Sequence, residues 1–168
     1  MAGSNSFDVT TGVDMMEVQN AVDQSTKEIA QRYDFKGLKV GIELDTKAKT
    51  ITLTAPDEHR LNAVWDVLQS KMVKRKVPLK NLKQGKSETA ASNTVRQVVT
   101  IQDGLTSEQA KEVVRYLKDA KMKKVQASIN AETVRVSGPD KDELQNVIAF
   151  LKQHDFGVEL KFGNYRSN

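Results

Sequence analysis

The chain of 168 residues contains no cysteine. Disulfides and thiolate metal sites are therefore excluded, and the composition suits a reducing compartment. Its two histidines, His59 and His154, are too few for a multi-histidine metal centre. No apolar run approaches the ~20 residues that a membrane-spanning helix needs. Residues 1–6 carry neither the basic nor the apolar segment of a secretory signal, so none is expected. Aromatic residues are only 5% of the chain, so the position of each one matters to any stacking site.

Catalytic signatures are also missing. Gly85-Lys86-Ser87 resembles the end of a phosphate-binding loop, but Lys80 stands where that motif requires a glycine. There is no Gly-x-Ser-x-Gly and no Gly-x-Gly-x-x-Gly. Asp57-Glu58-His59 reads as a first helical turn, where carboxylates offset the helix dipole. His154 falls near a helix end, where a cation is electrostatically welcome. No catalytic residue, metal or cofactor is expected.

What the chain does contain is a repeat. Thr50-Ile51-Thr52-Leu53-Thr54-Ala55-Pro56-Asp57 aligns with Thr133-Val134-Arg135-Val136-Ser137-Gly138-Pro139-Asp140. The match runs on without a gap, Leu61 meeting Leu144, Val64 meeting Val147 and Leu68 meeting Leu151. One unit is a strand, a Pro-Asp turn and an amphipathic helix. In the second copy Asp57-Glu58-His59 becomes Asp140-Lys141-Asp142, so the scaffold requires no histidine there. A duplicated scaffold without a duplicated catalytic residue points to binding before it points to catalysis.

Periodicity supplies the remaining elements. Residues 6–13 alternate with Phe7, Val9, Thr11 and Val13 on one side, a strand period. Asp14 caps a helix, with Glu17 placed to complete a capping box, and Val18, Ala21, Val22, Ser25 and Ile29 form its stripe. That helix ends near Arg32–Tyr33, and Gly37 is free to take positive φ. Residues 40–44 and 51–55 form a hairpin. Asp57 caps a helix with Leu61, Val64, Trp65, Leu68 and Met72 buried, ending before Pro78. Residues 79–93 read as a linker, with a weak strand near Leu79–Leu82.

The order then recurs: a strand over 95–101, a helix capped by Thr106 or Ser107, a hairpin over 125–137, a helix from Asp140, and a last strand through Val158, Leu160 and Phe162. This is an α+β chain of two tandem ferredoxin-like (split βαβ) domains, expected at residues 1–86 and 87–168. Each has two helices on one face of a four-stranded antiparallel sheet. The other face stays open, lined by Thr50, Thr52, Thr54, Glu43, Arg135 and Gln126.

The net charge is +4, which makes contact with polyanions plausible. Lysines cluster with Arg75 over residues 71–86, and four lysines cluster again over 118–124. The hairpin strands hold no aromatic residue, so base stacking of the RNA-recognition-motif kind is not expected. Aromatic and cationic side chains meet instead in Arg32-Tyr33-Asp34-Phe35-Lys36 and Phe162-Gly163-Asn164-Tyr165-Arg166. Such groups stack on a base and bind a phosphate. Strand parity sets Arg96, Lys161 and Arg166 opposite the core-facing residues. The candidate binding residues are Arg32, Tyr33, Lys36, Arg96, Lys161, Tyr165 and Arg166.

The chain resembles the YajQ family of bacterial nucleotide-binding proteins over nearly its whole length. The blocks that carry the resemblance are Ser6-Phe7-Asp8-Val9, Arg32-Tyr33-Asp34-Phe35-Lys36-Gly37, Val73-Lys74-Arg75 with Pro78 and Lys80-Asn81-Leu82, Val95-Arg96-Gln97, and Phe162-Gly163-Asn164-Tyr165-Arg166. The resemblance implies that the N-terminal strands of the two halves are exchanged, residues 6–13 joining the second sheet and 94–102 the first. It also implies a cytoplasmic, non-enzymatic and regulatory protein whose candidate ligands are GTP, ATP, tRNA or cyclic di-GMP. The alternatives are a protein-interaction module using its sheet faces, and an enzyme acting on a nucleotide.

Overall fold

The computed structural model describes residues 4–122 and 124–167. It contains nine strands and four α-helices among these residues, and two antiparallel sheets. The chain forms two compact units. One comprises the described residues up to Gly12 and those from Asp103 onward; the other is Val13–Gln102.

In unit 1, β1 (Asn5–Thr10), β7 (Gln126–Asn130), β8 (Thr133–Gly138) and β9 (Lys161–Arg166) form a sheet in the order β7-β8-β1-β9. Helices α3 (Ser107–Asp119) and α4 (Lys141–Lys152) belong to the same unit. In unit 2, β2 (Gly41–Asp45), β3 (Thr50–Ala55), β6 (Thr94–Ile101) and β4 (Leu82–Gln84) run in the order β2-β3-β6-β4. The short β5 (Glu88–Ala90) also pairs with β6, and α1 (Met15–Gln31) and α2 (Glu58–Lys74) complete the unit. Each is a ferredoxin-like arrangement. The strand exchange is present: β1 lies between β8 and β9, and β6 lies between β3 and β4.

The cores follow the sequence pattern. Phe7, Val9, Val113, Val134, Val136, Val147 and Leu151 are fully buried in unit 1. Ile51, Leu53, Ala55, Val64, Leu68, Met72 and Val99 do the same in unit 2. The buried residues of α1 are the expected stripe of Val18, Ala21, Val22, Ser25 and Ile29. Ser25 is tolerated there because its hydroxyl donates to the Ala21 carbonyl at 2.7 Å. In α2 the expected Trp65 is only half-buried, and Val67 is buried instead.

Helix starts are set by local chemistry. Asp57 accepts from the Arg60 amide, Asp140 from the Asp142 amide, and Thr106 with Gln109 closes a complete capping box. The box expected at Asp14 and Glu17 does not close. Asp14 accepts from the Met16 amide, whereas the Glu17 carboxylate accepts from Arg75 Nη2 at 3.0 Å. A long-range ion pair has taken the side chain that a local rule assigned to the cap. Gly37 takes φ +76°, as the helix stop requires.

Residues 79–93 are not a linker. Leu82 pairs with Ile101, Lys83 with Thr100 and Gln84 with Val99, while Glu88–Ala90 pair with Arg96–Thr94. The weak strand expected near Leu79–Leu82 is present as Leu82–Gln84, after a 3-10 turn over Leu79–Asn81; Glu88–Ala90 escaped the periodic reading because it is only three residues long and lies at a sheet edge, where burial imposes little alternation.

A fragment spanning 13–102 contains every strand of its sheet, whereas a fragment spanning 1–86 lacks the central β6. The first is expected to unfold cooperatively in urea with a native-like far-UV spectrum. The second is expected to show no cooperative transition. Cooperative unfolding of the 1–86 fragment would contradict the exchanged pairing.

Candidate functional site

The burial of β1 alternates strictly. Asn5, Phe7 and Val9 point to the helices, while Ser6, Asp8 and Thr10 face the uncovered side. In β8 the same alternation sends Val134, Val136 and Gly138 inward and Thr133, Arg135 and Ser137 outward. The register places Asp8 directly beside Arg135. Arg135 Nε donates to Asp8 Oδ1 at 3.0 Å, and Asn164 Nδ2 donates to Asp8 Oδ2 at 2.7 Å.

The Asp8 side chain is only 13% exposed, so its charge is held by these partners rather than by water. Burial raises its pKa. The hydrogen bonds from Arg135 and Asn164, with the charges of Arg135 and Arg166, lower it by more, and the carboxyl ends below its ordinary value.

The edge strand β9 adds the rest. Its register on β1 shifts between Ser6 and Asp8, and Asn164 sits at φ +52°. This is a β-bulge, which inserts one residue and re-aims its neighbours. Asn164 thereby reaches Asp8 on the open side, while Tyr165 turns inward to lie 6.2 Å from the Phe7 ring. Lys161 pairs with Thr10 and Arg166 with Ser6, so both stand on the open face. Gly163 is paired with Asp8, and a Cβ there would meet no heavy atom within 4 Å. Among the described residues there is therefore open space over Gly163 beside Asp8, and Arg135, Arg166 and Lys161 share that face.

The remaining candidates lie in unit 2. Arg32, Tyr33 and Lys36 occupy one short segment after α1, including a 3-10 turn over Tyr33–Phe35. Tyr33 is 89% exposed, whereas Phe35 is buried and carries the Arg32 guanidinium 5.0 Å from its ring centre. Arg32 is already engaged: Nε and Nη2 donate to the two Asp34 carboxylate oxygens at 2.9 and 2.7 Å. An exposed pair of this kind contributes only ~0–1 kcal/mol, so a phosphate can displace it. Arg96 is separate from that segment. It stands on the open face of β6 beside Thr54 and meets Glu88 at 3.4 Å.

Sequence reasoning missed Asp8 and Asn164 as site residues, and placed Arg135 on the open face without a role. The local signal was present for Asp8 and Arg135, each a charge between two buried apolar residues of a strand. Their contact spans 127 residues and depends on which strand pairs with which. Among the described residues no group of three or more His, Cys, Asp or Glu is placed to hold a metal ion.

A family model for YajQ-like nucleotide-binding proteins matches residues 5–166, and the chain belongs to that family. Among its relatives, a nucleotide-binding protein of Koribacter versatilis is 53% identical over 164 residues, covering 98% of each chain. One from Solibacter usitatus is 49% identical over 164 residues, again 98% of each chain. One from Carboxydothermus hydrogenoformans is 50% identical over 166 residues, covering 99% of this chain and 100% of the relative.

Asp8→Asn removes the charge but keeps the shape. The folded-state pKa of Asp8 is depressed, so its contribution is present above the unfolded carboxylate value of about 3.9. It is lost as pH falls through the folded value. The variant is expected to be less stable than the parent by about 1.5–3 kcal/mol at neutral pH, the usual contribution of hydrogen bonds to a charged group. The gap should close in strong acid. Urea unfolding of both proteins across the acid range checks this, and a gap independent of pH would remove the carboxylate charge from the explanation.

Proposed function

We propose that this chain is a cytoplasmic nucleotide- or RNA-binding protein that acts by binding rather than by catalysis. The observation that supports this most is the open sheet face of unit 1. Arg135 is held in place by the partly buried Asp8, and Lys161 and Arg166 stand beside it over the bare Gly163 backbone. Preorganised cations of this kind lose little conformational freedom on meeting a phosphate. Hydroxyl and amide groups on the same face, from Ser6, Ser137 and Asn164, offer hydrogen bonds to sugars and base edges.

The names of the relatives agree with the nucleotide-binding part of this reading. Tyr33, 89% exposed, is the stacking side chain of unit 2, and Tyr165, 61% exposed but leaning toward Phe7, stacks from the edge of unit 1 rather than from its open face. Lys36 lies beside Tyr33 in the chain, and Arg96 adds a cation to the open face of unit 2. Candidate ligands are GTP, ATP, cyclic di-GMP and tRNA, which share phosphate and base chemistry.

Fluorescence anisotropy of a labelled short RNA, titrated at ~50 and ~200 mM salt, tests the proposal. Contacts to about five phosphates of a single strand should give a log–log salt slope near −3.5. Excess GTP, ATP or cyclic di-GMP as competitor separates a discrete nucleotide site from a surface that tracks a polymer. Arg96→Ala and Arg166→Ala are each expected to weaken binding while leaving the melting temperature nearly unchanged, since both side chains are exposed. Normal binding by both variants would refute these positions. No binding of RNA or nucleotide would favour the protein-interaction reading.

Asp34→Asn gives an independent check on Arg32. It removes the competing carboxylate, so affinity should rise by a few-fold if Arg32 contacts phosphate. Unchanged affinity would take Arg32 out of the site.

A further inference from the structure

A strand at the edge of a sheet presents unpaired backbone groups to any extended chain, and native proteins blunt such edges with charges, bulges or short strands. Among the described residues the two sheets have four edges, and three of them are blunted in this way. β2 carries Glu43 and Asp45. β4 and β5, which share one edge, have three residues each. β9 shifts its register against β1 and carries Lys161 and Arg166. The fourth edge, β7, has none of these devices. Gln126-Ala127-Ser128-Ile129-Asn130 contains no charge and no proline, and it pairs with β8 in unbroken register.

Beside β7 the core of unit 1 reaches the surface. A groove of about 420 Å³ lies between α3 and the start of β7, lined by Val114, Leu117, Met122, Val125 and Ala127 together with Lys118 and Lys121. Val114, Met122, Val125 and Ala127 pack against the core but are only partly buried. Ala127 and Ile129 pair with the fully buried Val136 and Val134, so both belong to the helix side of the sheet, and Ile129 is 46% exposed. The repeat shows that the scaffold does not demand this exposure. Ile51 aligns with Val134, and its partner Leu44 packs against the unit 2 core.

The surroundings carry one sign of charge. Lys118, Lys121 and Lys124 are exposed, and among the described residues none of them forms an ion pair. Glu112 is turned to the other flank of α3, where it meets His154 beyond α4.

We propose that β7 is a docking edge for an acidic, extended segment of a partner protein, which joins the unit 1 sheet beside β7. Its backbone takes the open edge. On the helix side its side chains are apolar over the groove and acidic where they pass Lys118 and Lys121. Strand addition of this kind draws affinity from main-chain hydrogen bonds and specificity from alternate side chains. A polyanion without apolar groups would meet the lysines but leave Val114, Met122 and the backbone edge unused. A second copy of this chain, paired β7 to β7, would set two basic flanks of α3 against each other, which like-charge repulsion disfavours.

Fluorescence anisotropy of the full chain with a short labelled peptide tests the proposal. Every second residue of the peptide is alternately valine or glutamate, with serine between. It is expected to bind at least tenfold more tightly than the same peptide with lysine for glutamate. A proline at its centre, which removes a backbone donor, should abolish binding. The double variant Lys118→Glu, Lys121→Glu should reverse the preference between the two peptides while the melting temperature stays nearly unchanged, since both positions are exposed. Amide hydrogen exchange within residues 126–130 should slow when the peptide saturates the chain. Equal binding of the two peptides, tolerance of the proline, or unchanged exchange over 126–130 would each overturn the proposal. If no peptide binds but a labelled RNA does, and the double variant weakens the RNA, the lysines serve a nucleic acid and the docking edge is refuted. If the chain alone sediments as a dimer and Ile129→Lys makes it monomeric, the edge is occupied by a second copy and the proposal fails.

Discussion

The pairing of β1 with β8 is the contact on which the rest of unit 1 depends. It joins residues near the start of the chain to residues 133–138, and it makes β1 an interior strand of its sheet. Phe7 and Val9, both fully buried, enter the unit 1 core only through this pairing. The same ladder sets Asp8 against Arg135 and brings Asn5 to Pro139. A slip of one residue would turn Phe7 to solvent and Asp8 into the core, so the register is strongly determined. Loop-closure entropy grows only slowly with length, so closing so long a loop is tolerable once a large apolar face is buried.

That dependence explains what the sequence could and could not disclose. The helices, their caps and the alternation of the longer strands were legible, because each is governed by neighbours within a few residues. Asp57, Asp140 and Thr106 cap as their local chemistry demands. Misreadings occurred where a distant partner prevailed over a local rule. Glu17 left its cap for Arg75, 58 residues away, and residues 82–84 and 88–90 became edge strands because β6 was there to receive them. The strand exchange came from family resemblance alone; alternation shows which face a strand buries and says nothing of its partner.

The candidate site was legible to the same degree. Lys161 and Arg96 could be set on open faces by parity, and the structure has them there; Arg166 lies an even step from the core-facing Phe162, and it is the bulge at Asn164 that brings it opposite Ser6. Asp8 is different in kind. A carboxylate within a cationic surface looks counterproductive for binding an anion. Here its two oxygens are taken by Arg135 and Asn164, and it serves to orient them. The arginine keeps further donors for a ligand, because guanidinium presents five and Asp8 engages only Nε. A buried anchor with an outward-facing cation is a second-layer arrangement that composition and spacing do not reveal.

Duplication gives an internal control on where function resides. The two units share strand order, helix placement and the Pro-Asp turn, so shared features report the demands of the fold. Differences at matched positions are released from those demands. Arg135 aligns with Thr52, and their partners across the ladder are Asp8 and Val98. Unit 1 thus carries a partly buried ion pair where unit 2 carries a hydroxyl beside a 40% exposed valine. Exchanging a hydroxyl–valine pair for a partly desolvated ion pair brings no general gain in stability, because desolvation offsets much of the Coulomb attraction. Asn5 and Val95, which pair with the aligned Gly138 and Ala55, differ in the same sense. Two rows of one ladder, three positions apart, differ from their unit 2 counterparts in being more polar and partly or fully buried. A gain in stability explains neither departure, so unit 1 is the half in which to seek the ligand proposed above.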